Sequence, residues 1–246
     1  MAQATQPTPG MPAAPSIVSR LLFTSPQQRQ LHIITTTERD DYDPPMAAHE
    51  TAIFTAALAA AGDNFRGTAR KAAKLSIASA PVEVFNELAA LLHSLPADST
   101  MAHHHPPIST TASSKRVAEE KRNVQVRAFL YAASRENDND YHLILGRDPS
   151  LAPHKFMTVE ISGLPPASSA SFHALKAARD AYKAQFGHQL PGPTYDFYDP
   201  PMPVEVTGSL FFDMSHAQGG STPGPSSAKP GQIWEIHPIT KIVFEP

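Results

Sequence analysis

The chain has 246 residues, 25 of them proline and none cysteine, and a formal net charge of −3. Without cysteine there can be no disulfide, thiolate metal ligand or cysteine nucleophile, and a near-neutral charge lacks the basic footprint of strong phosphate-backbone binding. No apolar run approaches the ~18 residues of a membrane span, and the opening MAQATQPTPGMPAAPS has neither the basic residues nor the apolar core of a secretory signal, so a soluble cytoplasmic protein is expected.

Proline at about twice the usual share predicts many loops between short elements. Residues 1–16 carry too few apolar groups to offset the entropy of ordering and read as a disordered tail. The β-branched runs IVSRLLF and LHIITT, separated by SPQQRQ, predict a short hairpin over 17–37. The acidic ERDDYDPP that follows lacks the glycine and distal glutamate of a calcium loop and reads as a solvated loop. Ile53, Phe54, Ala57 and Leu58 at helical spacing predict a helix over 46–61, closed by Gly62-Asp63. A second helix is expected over 68–77, with Arg66, Arg70, Lys71 and Lys74 forming a solvated basic stripe. A third is expected over 82–95, from the stripe Val84, Leu88, Leu91 and Leu95 after Pro81. Residues 17–95 thus read as a mainly helical unit. The run 96–118, with His103, His104 and His105 beside Pro106-Pro107, reads as a linker, since three consecutive histidines cannot all face one ion.

From 119 onward the period changes. RNVQVRAFLY alternates, SRENDND is a turn and YHLILG a return strand, giving a hairpin over 122–146 in which Asp138 and Asp140 are turn residues. KFMTVEIS is a third strand. ASSASFHALKAARDAYKAQFG is a helix with Phe172, Leu175, Tyr182 and Phe186 as its buried stripe and Arg179 inside that stripe. Arg179 should therefore be buried and paired with a carboxylate, Glu160 or Glu235. Strands over 204–213 and 233–244 follow, with Gly208 at a tight bend and Pro238 at a bulge. The order strand, strand, strand, helix, strand, strand is that of an OB-fold. The expected class is α+β: a small OB-like β-barrel over 119–246, preceded by the small helical unit.

Four blocks, DxDYHLIL at 138–145, MTVEI at 157–161, VxVTGxLFFDxxH at 204–216 and WEIHPITKI at 234–242, together resemble a family of uncharacterised bacterial proteins. The resemblance covers roughly 120–245 and implies that the blocks act jointly and that the C-terminal part is OB-fold-like. It implies neither a substrate nor a mechanism.

Glu235 and His237, two apart on a strand, share a face opposite Trp234 and Ile236. Together with His142, Glu160 and His216 they make a set of imidazoles and carboxylates that suits zinc or another first-row divalent ion. The same residues also fit a structural polar network or a non-metal ligand site. Phe129, Tyr131 and Phe211 lie on the non-core face of their strands, where an OB surface stacks bases. With Arg179 they are the ligand-binding candidates of the first functional reading, a non-catalytic binding module for nucleic acid or a protein partner. The alternatives are a metal-dependent hydrolase or nuclease built on the His/Glu set, and a scaffold protein. No Gly-rich phosphate loop, G-x-S-x-G elbow or H-E-x-x-H helix is present.

Overall fold

The computed structural model describes residues 16–40 and 62–246, with a few positions between 52 and 60; the expected tail over 1–16 and the helix over 46–61 lie almost wholly outside them. The strands are β1 (Ile17–Thr24), β2 (Gln30–Thr36), β3 (Val82–Phe85), β4 (Asn123–Arg135), β5 (Tyr141–Gly146), β6 (Phe156–Ile161), β7 (Asp196–Phe212) and β8 (Trp234–Phe244). They form one mixed sheet in the order β1-β2-β7-β8-β6-β5-β4-β3, with β4 also paired to β7. The helix Phe172–Phe186 connects β6 to β7 and packs on β8. Among the described residues no helix is long and apolar enough to cross a membrane.

β7 is the strand that joins the sheet together. Phe197 pairs with Ile34 of β2 and Ala132 of β4, and Val206 pairs with Ile242 of β8 and Val126 of β4. One edge of β7 therefore belongs to β4, and the other is shared between β2 at its start and β8 at its end. The change of partner falls at Pro200, Pro201 and Pro203, where the backbone has no N–H to donate to a ladder. Further along, the register with β8 shifts on both sides of Gly208. A methyl group on Gly208 would overlap the Pro238 carbonyl and sit 2.6 Å from Ile236 Cγ2, so the close approach requires glycine.

This architecture corrects the expected fold class. In place of a small OB-like barrel behind a mainly helical unit stands an eight-stranded mixed sheet, to which the N-terminal half contributes β1, β2 and β3. The alternation within 123–244 was legible, but β7 starts eight residues before the expected strand, and those residues offer β2 an edge. The expected helix over 82–95 is the parallel strand β3 followed by a helix over only Leu88–His93. Asn123 explains the difference: its amide donates to Ala78 O and Ala80 O at 2.6 and 2.8 Å, laying the incoming chain beside β4. The expected helix over 68–77 is one turn, Lys71–Lys74.

Alternation then separates the two faces of β5, β6 and β8. Leu143, Leu145, Met157, Val159, Ile161, Trp234 and Ile236 enter the main apolar core with Ala178, Tyr182 and Phe186 of the long helix. The intervening residues His142, Glu160, Glu235 and His237 occupy the opposite face.

Candidate metal centre

Strand register brings these four side chains together. His142 lies opposite Glu160 across β5 and β6, Thr158 is level with Glu235 across the parallel β6–β8 pair, and Phe211 of β7 lies opposite Glu235. A face carrying so much charge would normally be solvated, yet His142, Glu235 and His237 are 0% exposed and Glu160 only 2%.

The cover comes from segments that read in the sequence as loop. Arg66 N donates to Asp138 O at 2.8 Å and Phe65 N to Leu164 O at 3.0 Å, docking residues 64–67 on the sheet. Gly67 permits that approach, because a Cβ there would sit 2.8 Å from Asp138 Cβ. Arg70, 1% exposed, makes a two-pronged ion pair with Glu120 at 2.6 and 2.8 Å and also donates to Phe212 O at 2.9 Å. Arg116 donates to Ala73 O, Ser76 O and His237 O at 2.9, 2.8 and 2.6 Å, tying this segment to β8. The basic stripe is thus solvated only in part: Arg66 and Lys71 are exposed, but Arg70 and Lys74 are turned inward by partners that no local pattern reveals.

At the centre, His237 stands between carboxylates. Its Nε2 is 3.3 Å from Asp140 Oδ2, and its Nδ1 is 2.9 Å from Glu160 Oε2 and 3.6 Å from Glu235 Oε2. None of these approaches has hydrogen-bond geometry. Asp140 Oδ2, Glu160 Oε2, both Glu235 oxygens and both His237 nitrogens are buried without a hydrogen-bond partner among the described residues. Two ligands ~2.1 Å from one ion lie ~3 Å apart when adjacent, so the spacing of Glu160 and His237 suits shared coordination. Lys74 Nζ is 3.5 Å from Asp138 Oδ2 and 4.0 Å from Glu160 Oε2.

Asp140, Glu160 and His237 each offer a ligand atom within 4.8 Å of the others, and two further trios adjoin this one. His142 Nδ1 lies 2.5 Å from Glu136 Oε1 and 3.5 Å from Asp40 Oδ2, while its Nε2 is 3.3 Å from Thr158 Oγ1. Asp40 in turn accepts from Tyr195 Oη and Gly224 N, both at 2.6 Å. On the other side Asp213, His216 and Glu235 each offer a ligand atom within 4.8 Å of the others. Asp213 caps the short helix Met214–Gly219, accepting from Ser215 N at 2.8 Å, and its Oδ2 is 3.0 Å from His216 Nδ1. Asp40, Glu136, Asp138 and His216, with Gly67 and Thr68, line a cavity of about 250 Å³ leading to the surface.

The charges do not balance without help. Burial, reinforced by the neighbouring Glu160 and Asp213, holds the Glu235 carboxyl well above the usual carboxylate range. Burial and Asp138 do the same to Asp140. Burial pushes Glu160 up as well, but His237 and Lys74 outweigh it and bring Glu160 well below its ordinary value. Burial would lower His142, but Asp40 and Glu136 raise it to about 10.

All five expected polar site residues therefore reach one region: Glu160, His237 and Glu235 at its centre, His142 and His216 in the flanking trios. Of the others, Phe211 lies beneath it, 5.4 Å ring to ring from His237 and under the Arg70 guanidinium. Phe129 is half-buried on β4. Tyr131 packs on Phe156 and donates to Arg147 O at 2.9 Å. Arg179 is fully buried, as its stripe requires, but its carboxylate is Asp63 at 2.9 Å, not Glu160 or Glu235. Asp40 and Asp140 read in the sequence as loop and turn residues and Lys74 as part of a solvated stripe, and Asp213 carries no signal of its own. A signal existed for one of them: Asp138, Asp140 and His142 fall at alternate positions leading into β5.

Asp63 gives a pH-dependent expectation. Burial raises it, but hydrogen bonds from Lys183 and Arg179 prevail and leave it below the ordinary carboxylate value. A depressed folded-state value contributes stability above the unfolded value and loses it as pH falls through the folded one. Asp63→Asn should lower the melting temperature at neutral pH and narrow its gap to wild type below about pH 4. A gap of constant size across that acid limb would show that the ion pair contributes nothing.

Comparison of the chain with protein-family models, curated proteins and solved structures finds no match. The geometry of this centre carries the functional reading alone.

Proposed function

We propose that the chain is a hydrolase that activates water on a divalent metal ion held by Glu160, Glu235 and His237. The observation behind this reading is the set of fully buried oxygens and nitrogens that approach one another without hydrogen bonding. A structural network has its buried polar atoms satisfied, because each stranded one costs ~1–3 kcal/mol. Carboxylates and an imidazole facing one another unbonded fit a doubly charged cation instead, and nitrogen and oxygen donors without thiolate suit zinc or manganese. Asp140 Oδ2, 3.3 Å from His237 Nε2 without hydrogen-bond geometry, is a further carboxylate beside the proposed ion. Such an ion supplies hydroxide at neutral pH. The 250 Å³ cavity opens beside this centre, against Asp40, Glu136 and His216 of the flanking trios, and the Lys74 ammonium beside Glu160 is placed to offset negative charge developing on a substrate.

The binding-module reading draws less support, since Tyr131 and Phe211 have their rings engaged by neighbours. The test is metal analysis of untagged protein, followed by assays on ester and phosphoester substrates with and without chelator. Bound metal and chelator-sensitive hydrolysis are expected. Protein that takes up neither zinc nor manganese would sink the reading.

A further inference from the structure

We propose a second divalent-ion position between Asp213, His216 and Glu235, with Glu235 bridging the two ions. The inference rests on the metal reading above and adds a separate claim to it. Glu235 is 0% exposed, and neither of its oxygens has a hydrogen-bond partner among the described residues. A carboxylate serving one ion through one oxygen would leave the other oxygen stranded in the interior, at the usual cost of a buried unsatisfied acceptor. A bridging carboxylate uses both.

The surroundings of Glu235 divide accordingly. Its Oε2 is 3.6 Å from His237 Nδ1, on the side of the first ion. It also belongs to the trio with Asp213 and His216, whose ligand atoms lie within 4.8 Å of one another. Asp213 Oδ2 accepts a hydrogen bond from His216 Nδ1 at 3.0 Å, which orients the imidazole within the trio. His216 also lines the cavity, which puts the second position at its inner wall, nearer to an entering substrate than the fully buried first one. Lys74, within 4.0 Å of two of the carboxylates, supplies a single positive charge to a region where carboxylates are in excess. Two ions ~3.5–4 Å apart clamp both the attacking and the leaving oxygen of a displacement, which a single ion cannot do.

The experiment is a titration of the metal-free full chain with Mn²⁺, read by native mass spectrometry for stoichiometry and by electron paramagnetic resonance for coupling between ions. Two ions per chain with a spin-coupled signal are expected. His216→Gln should retain one ion and lose the coupled signal, and Glu235→Gln should weaken both positions at least tenfold; circular-dichroism melts establish that each variant is folded. One uncoupled ion in the wild type, unchanged in His216→Gln, overturns the second position and leaves the first standing. No bound Mn²⁺ or Zn²⁺ overturns both.

Discussion

Arg70→Met is expected to lower the stability of the fold by about 3–5 kcal/mol, the range for breaking a buried ion pair from one side. Arg70 and Glu120 are 1% and 0% exposed and meet through two hydrogen bonds at 2.6 and 2.8 Å. Methionine fills a similar volume and can keep the contact with the Phe211 ring, but it leaves the Glu120 carboxylate with only the backbone donors of Phe212 and Val117. Arg70→Lys should recover little, because an ammonium cannot reproduce the two-pronged contact. Denaturant unfolding measures the effect, and the double variant Arg70→Met, Glu120→Gln should be more stable than Arg70→Met alone. A loss below about 1 kcal/mol, the level of a surface pair, would mean that the pair is not sealed from water.

His237→Ala should abolish divalent-metal uptake at the central position, a larger loss than the ~10–100-fold typical of removing an outer-sphere partner such as Asp140. Its effect on the chelated protein should be modest, since neither ring nitrogen makes a hydrogen bond that the substitution could break. Asp140→Asn should fall between the two, weakening the ion by removing a carboxylate charge beside the imidazole. Isothermal titration with Zn²⁺, paired with melts of chelated protein, separates the effects. Undiminished uptake in His237→Ala, or a melting-temperature loss equal with and without metal, would reassign the cluster as a structural network.

These two expectations mark what was legible in the sequence. The alternation of 123–131 and the spacing of Glu235 and His237 are local, so the strands of the C-terminal half and the nucleus of the site could be read directly. The burial of Arg179 was legible for the same reason, from its place in a helical stripe. Its partner was not, because Asp63 lies 116 residues away. Val84, Leu88, Leu91 and Leu95 fall at spacings of four, three and four, which a continuous helix would share. What holds the first of them extended is pairing with a distant strand, where Val84 is level with Gln125 and the Asn123 amide fixes the incoming chain at Ala78 and Ala80. Asp40 and Lys74 read as solvated because isolated charges in polar segments usually are. What buries them is the docking of residues 62–77 and 213–228 over the polar face of the sheet, and that docking depends on Arg70 and Arg116 finding acceptors far along the chain.

The shared edge of β7 also sets an order of events during synthesis. The β1–β2 hairpin can close as soon as it is made, but β2 waits for a partner: Thr35 meets Asp196 across 161 residues. Until β7 emerges, the outer edge of β2 carries unpaired backbone donors and acceptors beside a β1 in which Ile17, Val18, Leu21 and Leu22 are exposed even in the finished fold. Long-range pairing of this kind is slow to form. The newly made hairpin is therefore the segment most open to pairing with another chain, and a chaperone that shields it would act before the sheet, or the centre it supports, exists.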